Sequence, residues 1–232
     1  MKIYDELPQH NEDGSPNPDW LKVRAGRITG SDFHQYMGLA KKDELSDTAE
    51  SNLYKKVLES LGYSFESYRS SAMEDGNENE PLARADYIAE TFNDVHEVGF
   101  VDWEKLRAGC SPDGVIYIEK PNLDFQNMCY EEFKEIITTP IKKIIEIKCP
   151  EIKNYLKMAK GKIPPVYMTQ MQFNMLITGA KSCDFVVWHP DMRLSVQEIK
   201  ADANYQKDII TVLEKLNARY DAILEEIQEF RK

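Results

Sequence analysis

No stretch of this 232-residue chain approaches the roughly 18 consecutive apolar residues of a membrane span, and Met1 to Trp20 is polar and acidic, unlike a leader. A soluble, cytosolic protein is expected. Cysteine is scarce: Cys110, Cys129, Cys149 and Cys183 show no Cys-x-x-Cys spacing and no paired-histidine pattern beside them. That excludes a zinc ribbon and a disulfide framework, and points to reduced, structural thiols. Positive charge is in deficit too, with 29 Lys and Arg against 40 Asp and Glu, a net charge of −11 and an isoelectric point near 5.0. A surface that is basic all over is thereby excluded. No internal repeat, low-complexity tract or linker interrupts the chain. Its 42% apolar content over this length is enough for one substantial core.

What is present reads as a single α/β (α+β) domain over residues 1–232. The first part, about 1–93, is helical, with helices expected over Ser31 to Leu39, Thr48 to Leu61 and Glu80 to Phe92. Gly62 marks a stop after the second of these. A sheet core over about 94–200 carries candidate strands at Val95 to Val101, Val115 to Ile118, Ile144 to Cys149, Phe185 to Trp188 and Ser195 to Ile199. Pro164-Pro165 opens a helix running to Thr178. A final amphipathic helix, about 203–231, repeats apolar residues at three and four: Ile209, Leu213, Leu216, Tyr220, Ile223, Ile227 and Phe230. These elements predict a mixed central β-sheet flanked by helices.

The chemistry is concentrated in Ser111-Pro112-Asp113-Gly114 and in Glu146-Ile147-Lys148-Cys149-Pro150. Isoleucines at 144, 145 and 147 mark a buried strand, on which Glu146 and Lys148 share one face while Ile147 points away. A carboxylate and an ammonium among isoleucines are costly to bury unless each has a partner or a task. Asp113 supplies a second carboxylate, and two carboxylates with water and other oxygen ligands suit Mg²⁺ better than a soft metal. An ammonium beside such an ion can hold or help deprotonate a water attacking a phosphate. Phosphodiester hydrolysis is the reaction this set predicts. The same residues have plainer readings. Pro-Asp-Gly is a turn signal, Glu-x-Lys occurs on solvated strand faces, and Glu132-Phe133-Lys134 repeats the spacing. The apolar flanks favour Glu146 and Lys148, because Glu131, Glu132 and Glu135 crowd the other pair with charge.

On these motifs the sequence resembles the phage lambda exonuclease-like viral recombinases of the PD-(D/E)xK nuclease superfamily. Arg24-Ala25-Gly26-Arg27-Ile28-Thr29-Gly30-Ser31 is similar to that family's opening segment, and Tyr167-Met168-Thr169-Gln170-Met171-Gln172 to its helix after the lysine. Glu80 with Ala83 and Arg84 resembles its helix bearing an acidic residue ahead of the core. The resemblance implies a PD-(D/E)xK core and catalysis by Asp113, Glu146 and Lys148. It implies Mg²⁺, two ions per site with Mn²⁺ as a substitute, held by Asp113, Glu146, the Ile147 carbonyl and Glu80. Arg24, Ser31, Ser111 and Gln170 would bind a 5′-phosphate, and Met73 would act as a strand-separating wedge. The implied activity is a processive 5′→3′ exonuclease that digests the 5′-phosphorylated strand of double-stranded DNA and leaves 3′ tails for annealing. A ring-shaped homotrimer, a single-strand annealing partner and a phage or prophage origin in a bacterial host follow from the same resemblance.

Alternatives stay open on the residues alone. Arg24 could serve a surface salt bridge, Ser31 could cap a helix, Gln170 could belong to an ordinary core helix, and a carboxylate among Glu74, Asp75 and Glu78 could replace Glu80. An endonuclease of the same superfamily, or a noncatalytic DNA-binding or assembly protein, would share much of the pattern. The 32 residues between Asp113 and Glu146 require an insertion over Glu119 to Lys143, with Tyr130 to Ile137 as an extra strand, which the slow growth of loop-closure cost tolerates. Charge distribution softens the acidic total: Lys142 to Lys162 holds seven lysines against two glutamates, a local basic wall for phosphates or else an exposed helix face.

Overall fold

The computed structural model describes residues 1–5, 7–11, 14–65, 71–118 and 141–231, with the backbone alone for 71–77. Its centre is a four-stranded mixed sheet in the order β5-β6-β7-β8, comprising β5 (Gly114–Tyr117), β6 (Ile141–Lys148), β7 (Ser182–Val187) and β8 (Ser195–Lys200). β6 pairs antiparallel with β5 and parallel with β7. A parallel neighbour needs a crossover, and two helices provide it: α5 (Ile152–Met158) and α6 (Pro165–Thr178). Proline at the start of α6 uses a position whose amide would be unpaired anyway, and Gly179 ends the helix at φ +74, in the left-handed region.

Because both faces of β6 are covered, Ile144, Ile145, Glu146 and Ile147 are all buried and the strand shows no polar alternation. Its two faces meet different layers. Ile144 belongs to the main core, whereas Ile145 and Ile147 pack with Ala83 and Tyr87 of helix α4 (Ser71–Thr91) and with Val186 and Trp188. Hydrogen bonds reinforce that second layer: Tyr87 donates to Asp184 at 2.6 Å and the Trp188 indole to Asp86 at 2.6 Å. α4 begins nine residues before the expected Glu80, with Pro81 inside it. A proline after an acidic residue resembles a first turn, which is why the earlier start is hidden in the sequence.

A second sheet, absent from the sequence expectation, has the order β1-β3-β4-β2: β1 (Lys2–Tyr4), β3 (Phe100–Trp103), β4 (Ala108–Cys110) and β2 (Ile28–Thr29). The N-terminal part is therefore not purely helical. Of the strand expected over Val95 to Val101, only the end belongs to β3. His96 instead exchanges two backbone hydrogen bonds with Val115 of β5, both 2.9 Å.

Helix α1 (Pro18–Arg24) is capped by the Asn17 side chain, and α2 (Gly30–Phe33) leads into a 3-10 turn over His34–Ala40, where one continuous helix was expected. α3 (Asp47–Ser60) starts at a Ser46 cap and buries Ala49, Leu53 and Val57, one face at four-residue spacing. Helix α7 (Ala203–Phe230) opens on Asp202, whose carboxylate accepts from the amides of Asn204 and Tyr205. Its buried face runs from Ile209 through Val212, Leu213, Leu216 and Tyr220 to Ile223. Each fully buried aliphatic side chain contributes about 1.5–3 kcal/mol, so this face fastens the helix to its own domain. The stripe stops short of its sequence pattern, since Phe230 is 92% exposed. The insertion with the expected Tyr130 to Ile137 strand lies outside the described residues, apart from the start of β6.

Candidate active site

Asp113 and Glu146 have 32 residues between them in sequence, yet β5 and β6 are antiparallel partners and bring them together, with Gly114 opposite Ile145. Asp113 lies just before β5. Its Oδ2 accepts from the Ile147 amide at 2.6 Å, and its own amide donates to the Ile145 carbonyl at 3.2 Å. On β6 itself, Lys148 Nζ donates to Glu146 Oε1 at 2.5 Å and lies 5.1 Å from the centre of the Tyr167 ring on α6. Glu146 is completely buried, and its Oε2 accepts from Asn174 Nδ2 at 3.3 Å. Glu80 arrives from α4. Arg84, one turn on, donates from Nη2 to Glu80 at 2.5 Å and from Nε to the Asp113 carbonyl at 2.8 Å, while Nη1 meets Glu97 at 2.8 Å. A cavity of about 400 Å³ opens beside them, lined in part by Glu80, Arg84, Glu97 and Asp113 and by Gln9 and His10 of the N-terminal segment.

These groups shape one another's charge. Burial pushes Glu146 up to about 7, with the Lys148 ammonium opposing and the Asp113 charge adding. Burial also raises Asp113, against the pull of Lys148 and the Ile147 amide. Glu80 reaches about 8, through burial first and the charge of Asp113 second. For Lys148, burial acts to lower the pKa, but Glu146 and Asp113 more than offset it and hold the group above the ordinary lysine value. Cys149 is pushed to about 11 by burial and by the Glu80 and Asp113 charges, so it remains a thiol. The donors are therefore hard carboxylate oxygens that a cation would relieve of mutual repulsion.

Among the described residues, no group of three or more His, Cys, Asp and Glu side chains is arranged to hold a metal ion by itself. An ion there would rest on one or two carboxylates plus water and phosphate oxygens, as Mg²⁺ commonly does. Asp113 Oδ1 accepts no hydrogen bond from a described residue and is available to such an ion.

Of the residues expected to hold a phosphate, Arg24, Ser31 and Ser111 fall into linked positions. Arg24 makes no ion pair with a described residue; the carboxylates of Asp32 and Glu59 act on its charge. Its guanidinium lies 5.1 Å from the Trp20 ring and donates to Thr29 Oγ1 at 3.2 Å, and that hydroxyl is 3.4 Å from Ser31 Oγ. Ser111 donates to the Gly99 carbonyl at 2.6 Å, which also accepts the Trp20 indole at 2.8 Å. Gln170 is half-buried on α6 between Tyr167 and Asn174, on the face those two present to β6. The side chains of Met73, Glu74 and Asp75 lie outside the described residues. Asn174 and the second role of Arg84 escaped the sequence reading. The signal for Asn174 was a polar residue seven positions after Tyr167, on the same face of a helix.

A mixed sheet with an acidic residue before one strand and Glu-x-Lys on the next, backed by helices on both faces, defines a PD-(D/E)xK-like core. Within that class, the YqaJ-like viral recombinase domain matches residues 19–181, and the chain belongs to that family. Among solved structures, it is similar to an alkaline exonuclease, LHK-Exo, from Laribacter hongkongensis, with 27% identity, a TM-score of 0.73 and coverage of 93% of this chain and 98% of that one. A complex of LHK-Exo with dAMP aligns with a TM-score of 0.72, 26% identity and the same coverage. A phage-related exonuclease from Haemophilus somnus 129PT, 19% identical with a TM-score of 0.58 over 87% of this chain and 96% of that one, shares the fold. No curated protein matches the chain.

Proposed function

We propose that this protein is a Mg²⁺-dependent exonuclease that hydrolyses the 5′-phosphorylated strand of double-stranded DNA in the 5′→3′ direction. The observation that carries the reading is the meeting of Asp113, Glu146 and Lys148 at one end of β6, across a 32-residue separation. The likeness to an alkaline exonuclease over nearly the full length of both chains supports it.

Asp113 and Glu146 would hold the ion, with the Ile147 carbonyl as a further ligand and Glu80 reaching a second ion directly or through water. Bound there, Mg²⁺ supplies Lewis acidity that stabilises charge on the phosphate and the leaving oxygen. Lys148 stays an ammonium because two carboxylates raise its pKa, so its task is to orient the attacking water by hydrogen bonding and offset developing negative charge. Arg84 ties Glu80 to the backbone of Asp113 and so keeps contributions from α4 and β5 in register.

Arg24, Ser31, Ser111 and Gln170 would bind the terminal 5′-phosphate, the guanidinium as a charge-assisted donor and the others as neutral ones. The half-buried Arg24, which forms no ion pair with a described residue, supports this. Anchoring a chain end before cutting makes the enzyme start at ends. Exposed Lys157, Lys160 and Lys162 on and after α5 form no ion pairs with described residues and can contact the duplex backbone. By the family resemblance, the working form is a homotrimeric ring that acts processively beside an annealing protein.

The test uses linear duplex with 5′-phosphate or 5′-hydroxyl ends, and covalently closed plasmid, each with Mg²⁺. Faster digestion of phosphorylated ends and intact plasmid are expected. Rapid plasmid nicking would replace this reading with an endonuclease, and equal rates on both ends would remove the phosphate pocket.

A further inference from the structure

Each oxygen of Glu146 has its own partner: Lys148 takes Oε1 and Asn174 takes Oε2. Asn174 is 2% exposed, and its Oδ1 is the only buried side-chain nitrogen or oxygen without a hydrogen-bond partner among the described residues. Turning the amide over would set Oδ1 against the carboxylate, so the contact to Glu146 fixes its orientation. An unsatisfied buried carbonyl lowers stability, and the hydrogen bond that sets against it is the one to Glu146. The polar group is thus tied to the carboxylate it serves.

A second observation concerns the space the amide occupies. Across from it lies Gly30, at the start of α2, where an added Cβ would sit 2.3 Å from Asn174 Oδ1 and 3.3 Å from its Cγ. Its φ is not positive, so glycine is required here for close approach rather than for backbone conformation. The amide reaches Glu146 because residue 30 carries no side chain.

We propose that Asn174 is a positioning residue for Glu146: by holding Oε2 it sets the plane of the carboxylate relative to Lys148 and to the incoming divalent cation, and Gly30 is the gap that admits it. What Glu146 does in turnover rests on the nuclease reading above; the hydrogen bond and the gap do not.

Asn174→Leu tests this in three measurements on the full chain. Melting temperature should stay within about 4 °C of the wild type, since losing the orphaned carbonyl offsets losing the donor to Glu146 Oε2. Calorimetric Mn²⁺ affinity and kcat on 5′-phosphorylated duplex should each fall about 10- to 100-fold, the usual effect of removing a group that orients a ligand, with KM for duplex within about twofold. Gly30→Ala should lower kcat clearly more in the wild-type background than in Asn174→Ala, where the amide it displaces is absent and only the Phe173 ring, 3.2 Å from the added Cβ, is still pressed. Wild-type kcat and Mn²⁺ affinity in Asn174→Leu would overturn the proposal. So would a fall in melting temperature well beyond about 4 °C accompanying the lost activity, which marks an ordinary core residue, or independent effects of the two substitutions. If the wild type cleaves no DNA with any divalent ion, the nuclease reading fails, while Mn²⁺ affinity and melting temperature still decide the role of Asn174.

Discussion

Metal-free protein should lose stability as pH rises through neutrality, because folding makes the carboxylates of the site harder to ionise. Glu146 moves from an ordinary value of 4.5 to about 7, chiefly through burial. A group whose pKa is raised on folding gives its full contribution below its unfolded value and loses it as pH climbs through the folded one. For Glu146 that window runs from 4.5 to about 7. At 1.36 kcal/mol per pH unit it corresponds to about 3 kcal/mol for this fully shielded group. Glu80, raised to about 8, acts in the same direction. For a chain of this length each kcal/mol moves the melting temperature by about 2–4 °C, so the Glu146 share is about 10 °C between pH ~5 and pH ~8.5. Fluorimetric melting in EDTA across that range checks it, with Glu146→Gln beside the wild type. The uncharged isostere should flatten the curve by roughly that amount. Saturating Mg²⁺ should raise the wild type more at high pH than at low, since an ion that binds the carboxylate is linked to its ionisation. Parallel curves for wild type and variant in EDTA, or a Mg²⁺ shift of equal size at every pH, would refute the reasoning.

Two further outcomes follow from particular contacts. Arg24→Ala should shrink the rate difference between 5′-phosphorylated and 5′-hydroxyl duplex, by about tenfold for a lost charge-assisted contact, while leaving melting within a few degrees; a preference as large as that of the wild type would assign the phosphate to other residues. Asp202→Ala removes the cap of α7 and should cost about 1 kcal/mol, a fall of roughly 2–4 °C in melting temperature, with kcat unchanged; an undisturbed melting curve would show that the cap contributes nothing.

The elements that could be read from sequence are those whose ends are marked by chemistry. α6 runs from Pro165 to Thr178 as expected because proline opens it and a left-handed glycine closes it. β6 and α7 are long enough for their apolar patterns to be unambiguous. β1, β2 and β4 are two or three residues long, too short for alternation to register, and Ala-Gly-Cys in β4 has little strand propensity. They exist because tertiary pairing holds them. Likewise, Asp113, Glu146 and Lys148 were legible as residue types on a buried strand, but their meeting depends on the register of β5 against β6, which a 32-residue interval conceals. The roles of Asn174 and Arg84 were hidden for the same reason. Each acts on a residue far away in sequence, and no local pattern announces the contact.

The most direct measurement is release of label from linear duplex tagged at the 5′ end or the 3′ end of one strand, in Mg²⁺ or in EDTA, with Lys148→Ala alongside. Early release of 5′ label as mononucleotide, abolished by EDTA and slowed by about 100-fold or more in the variant, is the expected result. Release from the 3′ end first, or equal digestion by Lys148→Ala, would contradict the account.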